Sequence, residues 1–322
     1  MKKYFKYSNW LKLGFVLLAV GSIFYACKPD SKIADLGAKP KADFNIVMGA
    51  DGHSVMLVNK SNIAVMPYWK AADLNLGYSD LKGDTIKLNY TFPGTYTVQL
   101  LVAGSGGLDS ISKTVTTTKA DPTACSSTNP LGFLASCTQK TWKMNPAPGA
   151  FKVGQFAGGG EWWSSGAQEV IDRYCAFNDT YTFKFNASGD FMFDDKGDFF
   201  SDGYIGINPT TTCQTVNQYT TAQKPWGSGN FKYAVIPGGG IKGLGQIKVI
   251  GVGAHIGIPK AINNNETPNG ATATSVTYDI WSMQHVTDPN GDYDLLMLTL
   301  HYGNWSATEG WWTFTLRANS AQ

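Results

Sequence analysis

The stretch Gly158 to Gly166, GGGEWWSSG, sets a carboxylate and two indoles side by side among residues with no apolar periodicity. Successive residues of an extended chain point to opposite faces. One of Trp162 and Trp163 is therefore expected to plug a core, and the other to face out. The same reasoning makes Trp311 available beside Trp312. It places Trp226, in Lys224-Pro-Trp-Gly-Ser-Gly229, and Trp305, in Tyr302-Gly-Asn-Trp305, in loops or at strand ends. Trp142, Trp281 and Trp312 share strand faces with phenylalanine and leucine and are expected in the core. An exposed indole offers a flat surface to the apolar face of a pyranose at little conformational-entropy cost. Asn, Gln, Asp and Glu beside it accept hydroxyl hydrogens. Trp162, Trp163, Glu161, Trp226, Trp305 and Trp311 are accordingly the candidate carbohydrate-binding residues. In the competing reading these aromatics only fill the ends of a sandwich or pack on a neighbouring domain.

Hydrolysis of a glycoside needs two carboxylates flanking the bond, roughly 5–5.5 or 6.5–9.5 Å apart. After residue 130 the chain has four glutamates, Glu161, Glu169, Glu266 and Glu309. The E-x-D-x-x-E strand of laminarinase-type jelly rolls is absent, and Glu161 and Glu169 flank the tryptophan loop without that register. The expectation is that the protein is not an enzyme, with a jelly-roll glycoside hydrolase as the alternative. A structural or adhesive surface protein is the third reading. The four histidines, His53, His255, His285 and His301, have no ligand spacing, and no G-x-S-x-G occurs. The acidic turn Asp194-Asp-Lys-Gly-Asp198, with Asp202, could offer oxygens to calcium but lacks the EF-hand order. It is read as a solvated hairpin turn. No metal and no cofactor is expected.

The elements that must hold such residues are strands. Charged residues make up only 16% of the chain, with 36 glycines and 13% aromatics, and helical periodicity is scarce. Val55–Val58 and Ile111–Val115 read as strands, and Tyr96, Val98, Leu100 and Val102 share one face at period two. Tyr181, Phe183 and Phe185 alternate with polar residues, then Phe191 and Phe193 follow the turn Ala187-Ser-Gly-Asp190. Gln246–Val252 and Val276–Met283 read as further strands. Leu296, Leu298, Leu300 and Tyr302 share a face, as do Trp312, Phe314 and Leu316. The fold class is all-β: an immunoglobulin-like sandwich followed by a larger jelly-roll-type β-sandwich. The boundaries are a signal peptide at 1–26, a tether at 27–40, the small domain at 41–118, a Pro/Ser/Thr linker at 119–130 and the large domain at 131–322.

The N-terminal residues Met1-Lys-Lys, the apolar run Leu11–Ala26 and the following Cys27 have the form of an export signal too short to span a bilayer comfortably. Loss of Lys2, Lys3, Lys6 and Lys12 leaves 22 of the 26 basic residues against 24 acidic ones, a formal −2. That balance has no basic footprint for nucleic acid and suits a neutral partner. Setting Cys27 aside leaves Cys125, Cys137, Cys175 and Cys213, an even number in a setting where disulfides persist. Three pairings are possible. Cys125–Cys137 and Cys175–Cys213 are favoured because each closes a short or moderate loop.

Three resemblances extend these readings. The cysteine after the apolar run resembles that of bacterial lipoproteins, with Phe24 where leucine is usual. It implies that Cys27 carries lipid. Tyr90, Gly94, Tyr96, Val98 and Leu100, with Trp69 at the core-tryptophan position, resemble the polycystic-kidney-disease (PKD) repeat, which implies a spacer. The usual Gly-Asp turn after the tryptophan is replaced by Lys70-Ala-Ala-Asp73. The whole arrangement, through KTWKM at Lys140, GGGEWWS at Gly158, YCAFNDTYTFKFNASGDF at Tyr174, YDIWSM at Tyr278 and WWTFTL at Trp311, resembles glycan-binding lipoproteins of Bacteroidota polysaccharide-utilisation systems. That resemblance implies a place at the outer membrane, facing the cell surface, and the chain is read as a monomer. The resemblance also implies capture of polysaccharide, such as the β-glucan laminarin, for a partner outer-membrane transporter.

Overall fold

The computed structural model describes residues 37–203, 205–236, 238–305 and 308–319, without the side chains of residues 304, 305 and 308. The expected signal peptide, Cys27 and most of the tether lie outside the described residues. Among the described residues no helix is long and apolar enough to cross a membrane.

Seven strands come first: β1 (Phe44–Met48), β2 (Ser54–Asn59), β3 (Met66–Ala71), β4 (Leu76–Lys82), β5 (Thr85–Asn89), β6 (Gly94–Gly104) and β7 (Gly107–Thr117). They form two antiparallel sheets, β1-β2-β5 and β4-β3-β6-β7. The period-two pattern explains why they face each other. Val98, Leu100 and Val102 are fully buried from β6, against Phe44, Leu57 and Trp69 from the other strands. Trp69 meets Phe44 edge-on at 5.2 Å, and its indole Nε1 donates to the Gly83 carbonyl at 2.8 Å. The segment after β7 is tied down: Asp121 N donates to the Thr91 carbonyl, and the Asp121 carboxylate accepts from Thr123.

The rest of the chain comprises α1 (Pro130–Ala135), β8 (Gln139–Met144), β9 (Phe151–Gly154), β10 (Trp163–Ser164), α2 (Ala167–Asp172), α3 (Tyr174–Asn178), β11 (Thr180–Lys184), β12 (Asp190–Asp194), β13 (Asp198–Ser201), β14 (Thr212–Thr215), β15 (Gly229–Ile236), β16 (Gln246–Ile250), β17 (Ala261–Ile262), β18 (Asn265–Glu266), β19 (Ser275–Val286), β20 (Tyr293–Trp305) and β21 (Thr308–Asn319). Ten of these strands form one antiparallel sheet in the order β10-β9-β21-β20-β19-β16-β15-β12-β11-β8. β8 also pairs with β21, Met144 opposite Leu316, so the large β-sandwich is a sheet that closes on itself like a barrel. Closure leaves few unpaired edges.

Side chains at period two fill the interior. Tyr181, Phe183, Phe191 and Phe193 are buried from β11 and β12, with Phe183 stacked on Phe191 at 4.7 Å. Leu296, Leu298 and Leu300 from β20, and Trp312, Phe314 and Leu316 from β21, complete the same core with Trp142. Trp281 does not join it. Alternation after the inward Val276, Tyr278 and Ile280 puts Trp281 on the opposite face, half-buried, at a register shift between Ile280 and Ser282, and the Lys242 ammonium sits 4.2 Å from its ring centre.

The pairing Cys175–Cys213 is present and joins α3 to β14, with Cα atoms 5.8 Å apart. The expected Cys125–Cys137 bridge is not: both are free thiols. The loop does bring them together, but only into hydrogen-bonding contact. The neighbouring Cys137 thiol pushes the Cys125 thiol up to about 11.

Candidate functional site

The tryptophan loop is built from glycine for steric reasons. Gly158 has φ +78, and its Cα lies flat against Trp281; a Cβ there would come 2.5 Å from the ring. That leaves room for no other residue. After this turn the chain returns along β9. Trp162 N donates to the Val153 carbonyl at 3.1 Å, and Trp163 pairs with Val153. Alternation then sends the rings apart. Trp163 is half-buried against the large core, with the Arg173 guanidinium 5.0 Å from its ring centre. Trp162 is 45% exposed.

Both rings nevertheless border one open cleft of about 360 Å³, shared with Val153, Arg173, Asp202, Lys260, Glu266, Tyr302 and Trp312. That is within the roughly 300–1,000 Å³ range of small-molecule sites. Its walls come from seven separate stretches of chain. Arg173 sits between α2 and α3, Asp202 follows β13, and Lys260 and Glu266 bracket the hairpin β17–β18. Tyr302 and Trp312, on β20 and β21, form the floor with ring centres 5.8 Å apart. The charges on the walls are paired with one another. Lys260 Nζ is 2.8 Å from Glu266, and Arg173 is 3.9 Å from Asp202. Burial holds the Lys260 ammonium below its ordinary range, against the opposing pull of Glu266. Trp312 Nε1 donates to Glu266 at 3.4 Å. Burial pushes the Tyr302 hydroxyl up to about 12.

The other expected residues lie elsewhere. Trp226 is 2% exposed, in a satellite core with Phe199, Ile205, Ile207 and Tyr219, and is not a binding residue. Its Pro/Gly/Ser neighbours gave no sign of that core, which assembles from segments distant in sequence. Glu161 is exposed but does not line the cleft; its carboxylate lies where side chains on Gly154 and Gly159 would be. Trp311 faces a different groove with His301 and Glu309. Trp305 ends β20, and its side chain lies outside the described ones. Arg173, Asp202, Lys260, Glu266 and Tyr302 were not foreseen as site residues. The one sequence signal for the hairpin is Asn263-Asn264, a turn pair of which Asn264 has φ +62.

The acidic stretch between β12 and β13 is a turn but not the solvated hairpin expected, since β12 lies in the ten-stranded sheet and β13 pairs with β14 in a separate one. Asp195 is buried and accepts from Ser228 N and Oγ and from Gly197 N, while Asp194 pairs with Lys196. No group of three or more His, Cys, Asp or Glu among the described residues is placed to hold a metal. Beneath the turn is a cavity of about 50 Å³ bordered by Asp179 and His255. Burial, reinforced by Asp195, Asp198 and Asp194, holds the Asp179 carboxyl well above the usual range. Burial pushes the His255 imidazole down to about 4, and Nδ1 faces the Gly253 carbonyl at 2.9 Å. The unfolded chain binds that proton near pH 6.5, the folded chain only near 4. His255 thus costs no stability above pH 6.5, and stability is lost as the pH falls from 6.5 toward 4. Histidine-resolved NMR should show this ring neutral down to pH 5. A titration midpoint near 6.5 would place the ring in solvent instead.

No protein family matches the chain, and no curated protein matches it. Among solved structures, the chain is similar to the PKD1 domain of the Vibrio cholerae metalloprotease PrtV, at 24% identity and TM-score 0.22 over 26% of this chain and 100% of that one. It is similar to the PKD1 domain of Vibrio anguillarum Epp at 25% identity and TM-score 0.21, over 25% of this chain and 94% of that one. It is also similar to a carbohydrate-binding module of the β-sandwich superfamily at 11% identity and TM-score 0.21, over 88% of this chain and 93% of that one. The functional reading rests on the cleft's own residues.

Proposed function

We propose that the protein captures a neutral polysaccharide in the cleft of Trp162, Trp163 and Tyr302. The observation that carries this reading is the pairing of the cleft's charges. Arg173 with Asp202, and Lys260 with Glu266, offset each other within the site. Flat rings remain for a pyranose to stack on, with fixed polar groups at their edges. A charged ligand would have to break one of those pairs. Asp202 and Glu266 also bear on the hydrolase reading, since they are two carboxylates in one cleft. Each faces a cation, the opposite of the apolar pocket that keeps a general acid protonated. Binding without cleavage is therefore the reading adopted. With it go lipid attachment at Cys27, exposure at the outer membrane, delivery to a transporter, and a β-glucan such as laminarin as first choice of ligand.

The test is incubation with immobilised laminarin, mixed-linkage β-glucan, xylan, mannan and starch. Retention on at least one without new reducing ends is expected. New reducing ends would make the protein a hydrolase. Neither retention nor cleavage on the whole panel would leave a structural or adhesive role.

A further inference from the structure

The barrel wall has a second built depression, on the face opposite the core. Register sets Gln246, Asp279, Thr299, Thr313 and Lys152 in one row across β16, β19, β20, β21 and β9. Their chain neighbours Tyr278, Ile280, Leu298, Leu300, Trp312 and Phe314 point into the core, so this row points outward. An outward row of a sheet is normally wet. Here Thr299 is 1% exposed and Thr313 0%, and neither hydroxyl has a hydrogen-bond partner among the described residues.

Thr299 opens into a groove of about 340 Å³ that it shares with Gln246, Asn263, Thr277, Asp279, His301, Glu309 and Trp311. The Trp311 ring lies 4.8 Å from the His301 ring, and its Nε1 donates to Glu309 at 3.2 Å. His301 Nδ1 is 2.7 Å from the Asn264 side-chain oxygen, an acceptor, so Nδ1 carries the hydrogen. In the neutral ring Nε2 is then a bare acceptor, and it is buried without a donor among the described residues. Buried polar atoms left unpaired are uncommon and ask for an explanation. Two of them, His301 Nε2 and Thr299 Oγ1, belong to residues lining this one groove.

The groove's chemistry narrows what could complete it. Asp279 already accepts from Gln246 Nε2 at 2.6 Å and from Ile241 N at 3.1 Å. Neutral donors thus satisfy the carboxylate in part and leave lone pairs over. Among the described residues no lysine or arginine lines the groove, so they offer nothing to hold an anion. It needs hydrogen-bond donors beside a ring face.

We propose that this groove is a second sugar-binding site, in which a neutral, hydroxyl-rich ring lies against Trp311 and donates to His301 Nε2, Thr299 Oγ1, Asp279 and Glu309. The proposal rests on the glycan reading of the first cleft. It adds that one polysaccharide chain can be held at two places. The hairpin β17–β18 walls both sites. Its Lys260 and Glu266 side faces the first cleft, while Asn263 grips the backbone of Thr277 with two hydrogen bonds of 2.8 Å on the other.

The experiment compares the full chain with Trp162→Ala, Trp311→Ala and Thr299→Val on the five polysaccharides named above, by affinity gel and thermal melt. Thr299→Val keeps the shape and removes only an unpartnered hydroxyl, so it should melt no earlier than the parent. Trp311→Ala is expected to weaken retention about tenfold, as loss of a central aromatic does. Thr299→Val should weaken it several-fold, and the Trp162/Trp311 double variant more than either single one. Parental retention by both Trp311→Ala and Thr299→Val, with Trp162→Ala weakened, would overturn the second site and keep the first. The reverse pattern would keep the second and overturn the first. A parent that binds no polysaccharide overturns both.

Discussion

Trp162→Ala is expected to weaken polysaccharide binding at least tenfold and leave the melting temperature almost unchanged, while Trp163→Ala, which removes packing as well as a cleft wall, lowers the melting temperature and weakens binding too. The two residues are adjacent in sequence and differ only in the face they take. Trp162 is exposed at the mouth of the cleft, so removing its ring removes a stacking surface and little packing. A central aromatic at a binding site is commonly worth 2 kcal/mol or more, and each 1.4 kcal/mol is tenfold in affinity. Trp163 lies against the large core and under Arg173. Its loss leaves a cavity, with a cost of about 3 kcal/mol, the lower end for tryptophan because the ring is only half-buried. Calorimetric titration with the retained polysaccharide, paired with thermal melts, separates the two roles. Should both variants melt early and bind like the parent in their folded fraction, the pair is packing alone.

Removing the Cys175–Cys213 bridge by a double change to alanine is expected to lower stability by about 4 kcal/mol. The bridge spans 38 residues in sequence, and loop-closure entropy for such a span gives that magnitude. Its place adds a second effect. Arg173 precedes Cys175 by two residues, and β14, which carries Cys213, pairs with β13, the strand that leads into Asp202. The bridge therefore holds together the two segments that supply the Arg173–Asp202 wall. Denaturant unfolding should show the loss of stability. Titration should show weaker binding even at temperatures where the variant is fully folded. Peptide mapping without reductant checks the premise, and free thiols at both positions would contradict it.

How much of this was legible depends on how local each signal is. Phe183 and Phe191 announce themselves because strand burial repeats every second residue, and the pattern needs only a short window of sequence. Trp312, Phe314 and Leu316 are legible for the same reason, as is the opposed orientation of Trp311. The first cleft is not, because its walls come from segments near 153, 162, 173, 202, 260, 302 and 312 that only the folded sheet brings together. Trp226 shows the limit plainly. Pro225 and Gly227 describe its backbone correctly, as a short turn, but say nothing of Phe199 and Tyr219 closing over the ring. Closure of the large sheet is likewise invisible in any one strand, since it depends on Met144 meeting Leu316 across the chain. Cysteine arithmetic found one true pair. For the other it found neighbours, because proximity does not by itself form a bond.

The packing of β15 carries one further consequence. Ala234 and Ile236 belong to the apolar cluster of the first seven strands, although they lie more than a hundred residues beyond them in sequence. Asn75 Nδ2 donates to the Tyr233 carbonyl at 3.2 Å, and Lys248 is 2.8 Å from Asp80. The place to cut the chain suggested by composition, near residue 120, is therefore a poor place to cut the molecule. Excising the first 118 residues would strip a lid from Ala234 and Ile236, leaving greasy surface on a strand that runs through the barrel wall. A truncated large half should be stickier than the whole, and weak or erratic sugar binding by such a fragment would report that scar rather than the site.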